Sequence, residues 1–143
     1  MLKYLIVVIL IGHGFIVSAQ SGGNFGGGNS QITNPSWLNW FPMTLGRSWF
    51  LTAFKLEGTL VDKIFGFIWL ASGLCLIAAA LGVLGFIVPS ELWRTLAVYG
   101  ASGSLLMLLV YFHPFFIIGI LVDVAILVTL LWTNWPPKTL MGA

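Results

Sequence analysis

The stretch from Ile64 to Ser90, IFGFIWLASGLCLIAAALGVLGFIVPS, runs 27 residues without a charged side chain. From Thr95 to Pro137 the chain runs another 43 residues in which Asp123 is the only charge. A helix rises 1.5 Å per residue, so about 20 residues cross a hydrocarbon core of about 30 Å, and both stretches read as membrane-spanning. The second is too long for one span: a single rod of about 40 residues would reach about 60 Å, twice the core. It must fold back. Tyr111-Phe112-His113-Pro114-Phe115-Phe116 is the natural reversal, because proline suits the first turn of a new helix and aromatic rings suit the headgroup boundary. Val88-Pro89-Ser90-Glu91 does the same between the preceding helices, with Trp93 as its expected interfacial anchor. Trp132 and Trp135 mark the exit of the last helix, and Pro136-Pro137 stops it.

Four apolar segments result: roughly 3–19, 64–88, 93–112 and 115–133. The first has two readings. Lys3, a hydrophobic run and then Val17-Ser18-Ala19 before Gln20 fit a secretory signal with small residues at its cleavage site. Gly12-His13-Gly14 is foreign to a disposable leader and favours a retained helix. The fold class is therefore all-α, an integral membrane antiparallel four-helix bundle with an extracytoplasmic loop. The expected division is 1–19 as the first transmembrane helix or a signal peptide, 20–63 as a Gly-rich linker and interfacial segment, 64–135 as a three-helix membrane core, and 136–143 as a tail.

Within the second of these, Ser21 to Ser30 holds too few apolar side chains for a core and reads as a mobile linker. Further on, Leu45, Trp49, Ala53, Leu56 and Leu60 recur at helical spacing, away from Arg47, Lys55 and Glu57, the pattern of a short amphipathic helix on the membrane surface; the alternative is an irregular loop held at the interface by Trp37, Trp40 and Trp49. Positive charges leave orientation tied: Lys3, Arg94 and Lys138 fall on one side, and Arg47, Lys55 and Lys63 on the other. A long flexible segment tolerates translocation, which favours both termini in the cytoplasm and a location in the plasma (inner) membrane.

Composition excludes several functions. At 59% hydrophobic and 7% charged, the 143-residue chain lies far from soluble domains, where about a quarter of residues are charged. Six bases and four acids are scattered singly, so nucleic acid is not an expected partner. One cysteine, Cys75, permits no intrachain disulfide and reads as a packed hydrophobe. There is no His-Glu-x-x-His, no nucleophile elbow and no cysteine cluster, so catalytic residues stay unassigned and no metal or other cofactor site is expected.

The chemistry concentrates at Asp123, because a charge at the bilayer centre costs about 2.5 to 3.5 kcal/mol on insertion scales. Counting along the helices puts His13 at a similar depth, with Ser72 and Cys75 on the second helix and Ser102 and Ser104 on the third in the same layer. Polar groups there turn inward and pair. Asp123, His13, Ser102, Ser104 and Ser72 thus form a candidate polar cluster. It either handles a proton or a small polar headgroup, or fixes helix register by a structural bond; desolvation disfavours the charged forms, so the expected His13–Asp123 pair is neutral and hydrogen-bonded. Small residues form i, i+4 rows for close packing: Ala71-Cys75-Ala79, Ala78-Gly82, Ala97-Ala101 and Gly100-Ser104. Gly119 lies one turn before Asp123 on the same face, and His113 reads as an interfacial residue.

Gly12-His13-Gly14, Arg47-Ser48-Trp49-Phe50-Leu51, Trp69-Leu70-Ala71, Pro89-Ser90-Glu91-Leu92-Trp93-Arg94 and Ile118-Gly119-Ile120-Leu121-Val122-Asp123 together resemble a group of small uncharacterised prokaryotic four-helix membrane proteins, loosely similar to the DoxX-like proteins. The resemblance implies a retained first helix, a four-helix bundle and an association with quinone-linked or thiol redox systems. It implies no activity that carries over residue by residue. A lone cysteine cannot cycle a disulfide, and a chain of four helices without an internal repeat makes a poor stand-alone transporter.

The leading expectation is a non-enzymatic accessory or assembly subunit, surrounded by membrane lipids and packed against a membrane-protein partner or a copy of itself. The alternatives are a proton- or small-molecule-handling protein using Asp123 and His13, an accessory to a quinone-linked redox system, and an enzyme acting on a lipid or quinone.

Overall fold

A computed structural model describes residues 1–26, 32–137 and 139. Its long helices are α1 (Leu2–Phe25), α3 (Leu60–Leu84), α4 (Trp93–Val110) and α5 (Ile117–Leu127). A 3-10 turn at Pro114–Phe116 leads into α5, and a π turn at Val128–Trp132 prolongs it. A five-residue helix, α2 (Trp49–Ala53), lies between α1 and α3. Four spans, Leu2–Phe25, Leu60–Leu84, Trp93–Val110 and Pro114–Trp132, are long and apolar enough to cross a membrane, and the chain is a small membrane protein.

Packing follows a seven-residue rhythm. On α1 the buried positions are Val7, Leu10, Gly14, Val17, Ser21 and Asn24, alternating steps of three and four. Gly66, Trp69, Gly73, Leu76, Ala80 and Val83 on α3 keep the same steps, as do Trp93, Ala97, Gly100, Ser104 and Met107 on α4. Such stripes mesh at shallow crossing angles, and small residues in them let backbones approach. Gly14 meets Gly73 and Ile77, while Gly66 meets Asn24 and Phe25, so positions descend on α3 as they rise on α1. Gly82 meets Trp93, and Gly100 meets Ser72 and Leu76, giving the same reversed order between α3 and α4. α1 packs along α3, α3 along α4, and α4 along α5, whereas α1 and α5 barely meet.

Several local expectations change. α1 does not stop near Ala19 but continues through Gly22 and Gly23 to Phe25, where a linker is expected from composition. Tertiary contacts override that composition: Asn24 is anchored on Asp62 and Tyr111, and Phe25 sits edge-on to Phe67 at 5.0 Å. The remainder of that expected linker, 27–30, lies outside the described residues, as do Lys138 and 140–143 of the tail. α3 starts at Leu60, capped by Thr59, so Leu60 belongs to it rather than to a surface helix. α2 is confined by its Ser48 cap and by left-handed backbone at Lys55 (φ 54°), and Leu51 rather than Ala53 is its buried residue. Ala71 faces outward and Cys75 is half-buried, so the close approach on α3 runs through Gly66, Gly73 and Ala80 instead. Trp93 is 8% exposed, laid over Gly82, and is a packing residue more than an interfacial anchor. Trp132, 85% exposed, does stand at the exit of the last span.

Candidate functional site

The gap between α1 and α5 is the functional candidate, and its geometry follows from the packing order just described. Two helices that scarcely touch are joined by one side-chain bond: His13 Nε2 lies 2.8 Å from Asp123 Oδ1. Asp123 is fully buried, and 9% of the His13 side chain is exposed. Gly119, one turn before Asp123, makes room for the imidazole, since a Cβ there would lie 3.6 Å from His13 Cε1 and 3.2 Å from Leu108. The second carboxylate oxygen, Oδ2, is buried without a partner among the described residues.

Beside this bond runs a groove of about 760 Å³ along α1 and α5. Ile9, Gly12 and Ile16 form one wall, and Phe115, Ile118 and Val122 the other. Trp69 and Leu108 make its floor, and Ile32, Trp37 and Leu45 from the segment between α1 and α2 close one end. A smaller cavity of about 210 Å³ lies toward the other end, against Trp93, Ala97, Leu130 and Trp135. Ile9 and Val122 line both, which puts the two cavities on either side of one narrow waist. Among the described residues, His13 is the one titratable side chain lining the large groove. A mainly apolar cavity of several hundred Å³ with few polar groups, here His13 and Gln20, is the form of a site for a lipophilic ligand.

The other expected cluster members are placed differently. Ser104 is fully buried on α4, with an Oγ that finds no partner among the described residues. Ser72 is buried between α3 and α4, close to Gly103. Ser102 faces outward: at 100° per residue it points about 200° away from Ser104, so sharing a depth does not mean sharing a face. The bond at this depth therefore joins α1 and α5 alone.

A second polar group, at the end of the bundle where α4 turns into α5, escapes sequence reasoning. His113, expected at the interface, is covered by the chain and 1% exposed. Its Nδ1 accepts the Phe115 N–H at 3.1 Å, which caps the turn into α5 and leaves Nε2 to donate to Asn34 Oδ1 at 2.8 Å. Asn34 in turn donates to the Met43 carbonyl at 2.8 Å, so one side chain ties the segment between α1 and α2 down onto the α4–α5 reversal. Burial pushes the His113 imidazole below its ordinary value, against a smaller upward pull from Met43. Nearby, Asn24 donates to Asp62 and Tyr111, and Ser48 donates to the Val110 carbonyl at 2.8 Å. Glu57 accepts from Thr52 at 2.6 Å, which with Arg47 holds its carboxyl below the usual range. The one available signal was Asn24 itself, which falls on the buried stripe of α1.

No group of three His, Cys, Asp or Glu residues able to hold a metal occurs among the described residues. No protein family, no curated protein and no solved structure matches the chain.

Proposed function

We propose that this protein binds a lipophilic small molecule, taken up sideways from the bilayer into the groove between α1 and α5. The observation that carries the reading is the His13–Asp123 bond, a buried polar pair between two otherwise separate helices beside a large apolar groove. A bond needed only for register works as well between helices in full contact; here it gives the groove a polar anchor beside its apolar walls. The cover formed by Ile32, Trp37 and Leu45 closes one end, while Val8, Ile16 and Ile118 stand exposed along the open side. In the plasma (inner) membrane, with both termini cytoplasmic, that cover is extracytoplasmic.

Native mass spectrometry of the protein released from its own membranes tests the reading. A bound lipophilic species is expected, and Val122→Trp, which fills the groove at its waist, should displace it while the variant still melts cooperatively. A protein that carries no such species, or retains it in the Val122→Trp variant, overturns the proposal.

A second reading, an accessory subunit of a larger membrane assembly, is favoured by α5. Asp123 is the one buried residue of that helix, which packs mainly on α4. The DoxX-like resemblance would make the assembly a quinone-linked redox system. The same spectra distinguish the two readings, because a partner chain or second copy adds protein mass.

A further inference from the structure

We infer that the groove selects a ligand whose head is a hydrogen-bond acceptor, a carbonyl oxygen on an otherwise apolar molecule, held by the Nδ1–H of His13. The inference rests on the ligand-binding reading above and sharpens it.

At 2.8 Å, one hydrogen lies between His13 Nε2 and Asp123 Oδ1. A carboxylate facing a neutral imidazole leaves the pair with one negative charge, in a layer where an uncompensated charge is costly. Among the described residues no Lys or Arg lines either cavity to offset it. The pair is therefore favoured as a net-neutral unit, which holds one more proton. That proton has two places to go. On Asp123 Oδ2 it would be a buried hydroxyl with no acceptor, since Oδ2 has no partner among the described residues. On His13 Nδ1 it sits on the ring that faces the groove. Nδ1 then carries hydrogen whether the first proton belongs to the imidazole or to the carboxyl, because a neutral ring that accepts at Nε2 must donate at Nδ1.

A donor presented to hydrocarbon is unsatisfied, and acyl chains offer it nothing. Trp69 lines the same groove, but its indole Nε1 is enclosed by the protein and offers no donor to a molecule lying there. Gln20, the other polar residue of the lining, lies two turns away along α1. At the depth of His13 the lining, among the described residues, thus offers one donor and no side-chain acceptor. A carbonyl completes it, a hydrocarbon does not, and an anion would be buried beside a net-neutral pair with no counter-charge.

Benzophenone and diphenylmethane, two probes of nearly equal size and shape that differ by a carbonyl in place of a methylene, separate the possibilities. With the full chain in nanodiscs, equilibrium dialysis corrected for empty nanodiscs should show benzophenone binding about ten-fold tighter, which is about 1.4 kcal/mol. On irradiation benzophenone should label α1 and α5. His13→Phe should erase the preference while diphenylmethane still binds. Because that variant could fail to fold, the ¹⁵N spectrum of His13 in the unmodified protein gives a second readout: a protonated Nδ1 is expected, and an unprotonated one overturns the inference. Equal affinity for both probes overturns the carbonyl head but leaves the groove reading intact. If neither probe binds, the groove reading falls as well.

Discussion

Gly73→Ala tests the packing that holds the groove open. A Cβ added at Gly73 would lie 2.0 Å from Ser18 Oγ, 2.5 Å from the Gly14 carbonyl oxygen and 2.7 Å from the Ser18 amide nitrogen. The hydroxyl can rotate away, but the two backbone atoms cannot. Ordinary contact needs about 3.5 Å, so α1 must retreat from α3 by about 1 Å. A gap of that size forfeits about a quarter to a half of the dispersion energy of each contact along the seam, and overpacking of this kind costs about 1 to 3 kcal/mol. With backbone as the obstacle we take about 3 kcal/mol. Alanine regains about 1 kcal/mol in helix propensity, which leaves a net loss of about 2 kcal/mol. Gly12→Ala is the internal control: nothing lies within 4 Å of its added Cβ, so propensity alone acts and the variant should gain about 0.5 to 1 kcal/mol. Unfolding by SDS titration, followed by helical circular dichroism, measures both. If Gly73→Ala proves as stable as Gly12→Ala, the close backbone approach of α1 and α3 is wrong, and with it the position of His13.

The His13–Asp123 bond invites a double-mutant cycle with Asp123→Ala, His13→Ala and the pair together. Interhelical bonds in membranes average about 0.6 kcal/mol, and because Asp123 is ionisable and fully buried we expect a coupling of about 1 to 2 kcal/mol; additive losses would show that the two residues do not interact. His113 should make stability pH-dependent in a defined direction. Its folded pKa lies below the ordinary 6.5, so the unfolded chain binds the proton first as pH falls. The His113 contribution is then complete above about pH 6.5 and declines below it. Glu57, also lowered, keeps its contribution down to about pH 4.5 and loses it only in stronger acid, outside this window. Between pH 7.5 and 5.5 the wild type should therefore lose more of its melting temperature than His113→Gln does, and parallel losses would refute the assignment.

What was legible in the chain was whatever the hydrocarbon core imposes. Charge-free runs mark the spans, Pro114 marks the reversal, and depth counting puts His13 and Asp123, now seen 2.8 Å apart, in one layer. What depth counting does not supply is the face of the helix, and hence Ser102 was expected inward while it points outward. Local composition failed where a distant residue decides the outcome. Gly22 and Gly23 stay helical because Asn24 is held by Asp62 and Tyr111, and His113 is buried because Asn34, 79 residues earlier, folds over it. The three-and-four rhythm of buried positions was present in the letters, but in a chain this apolar the stripe that meets a neighbour looks much like the one that meets lipid.

The missing contact between the first and last spans has a mechanical meaning. A ring of four rods in which every neighbour interlocks resists widening all the way round, whereas this one is a curved row whose ends are clasped by a single imidazole and carboxyl. Release of that clasp lets α5 swing about its junction with α4 while the interlocked α1, α3 and α4 stay together. Sideways pressure from the surrounding lipid, which changes with chain length and curvature, therefore acts on one weak line rather than on the whole assembly.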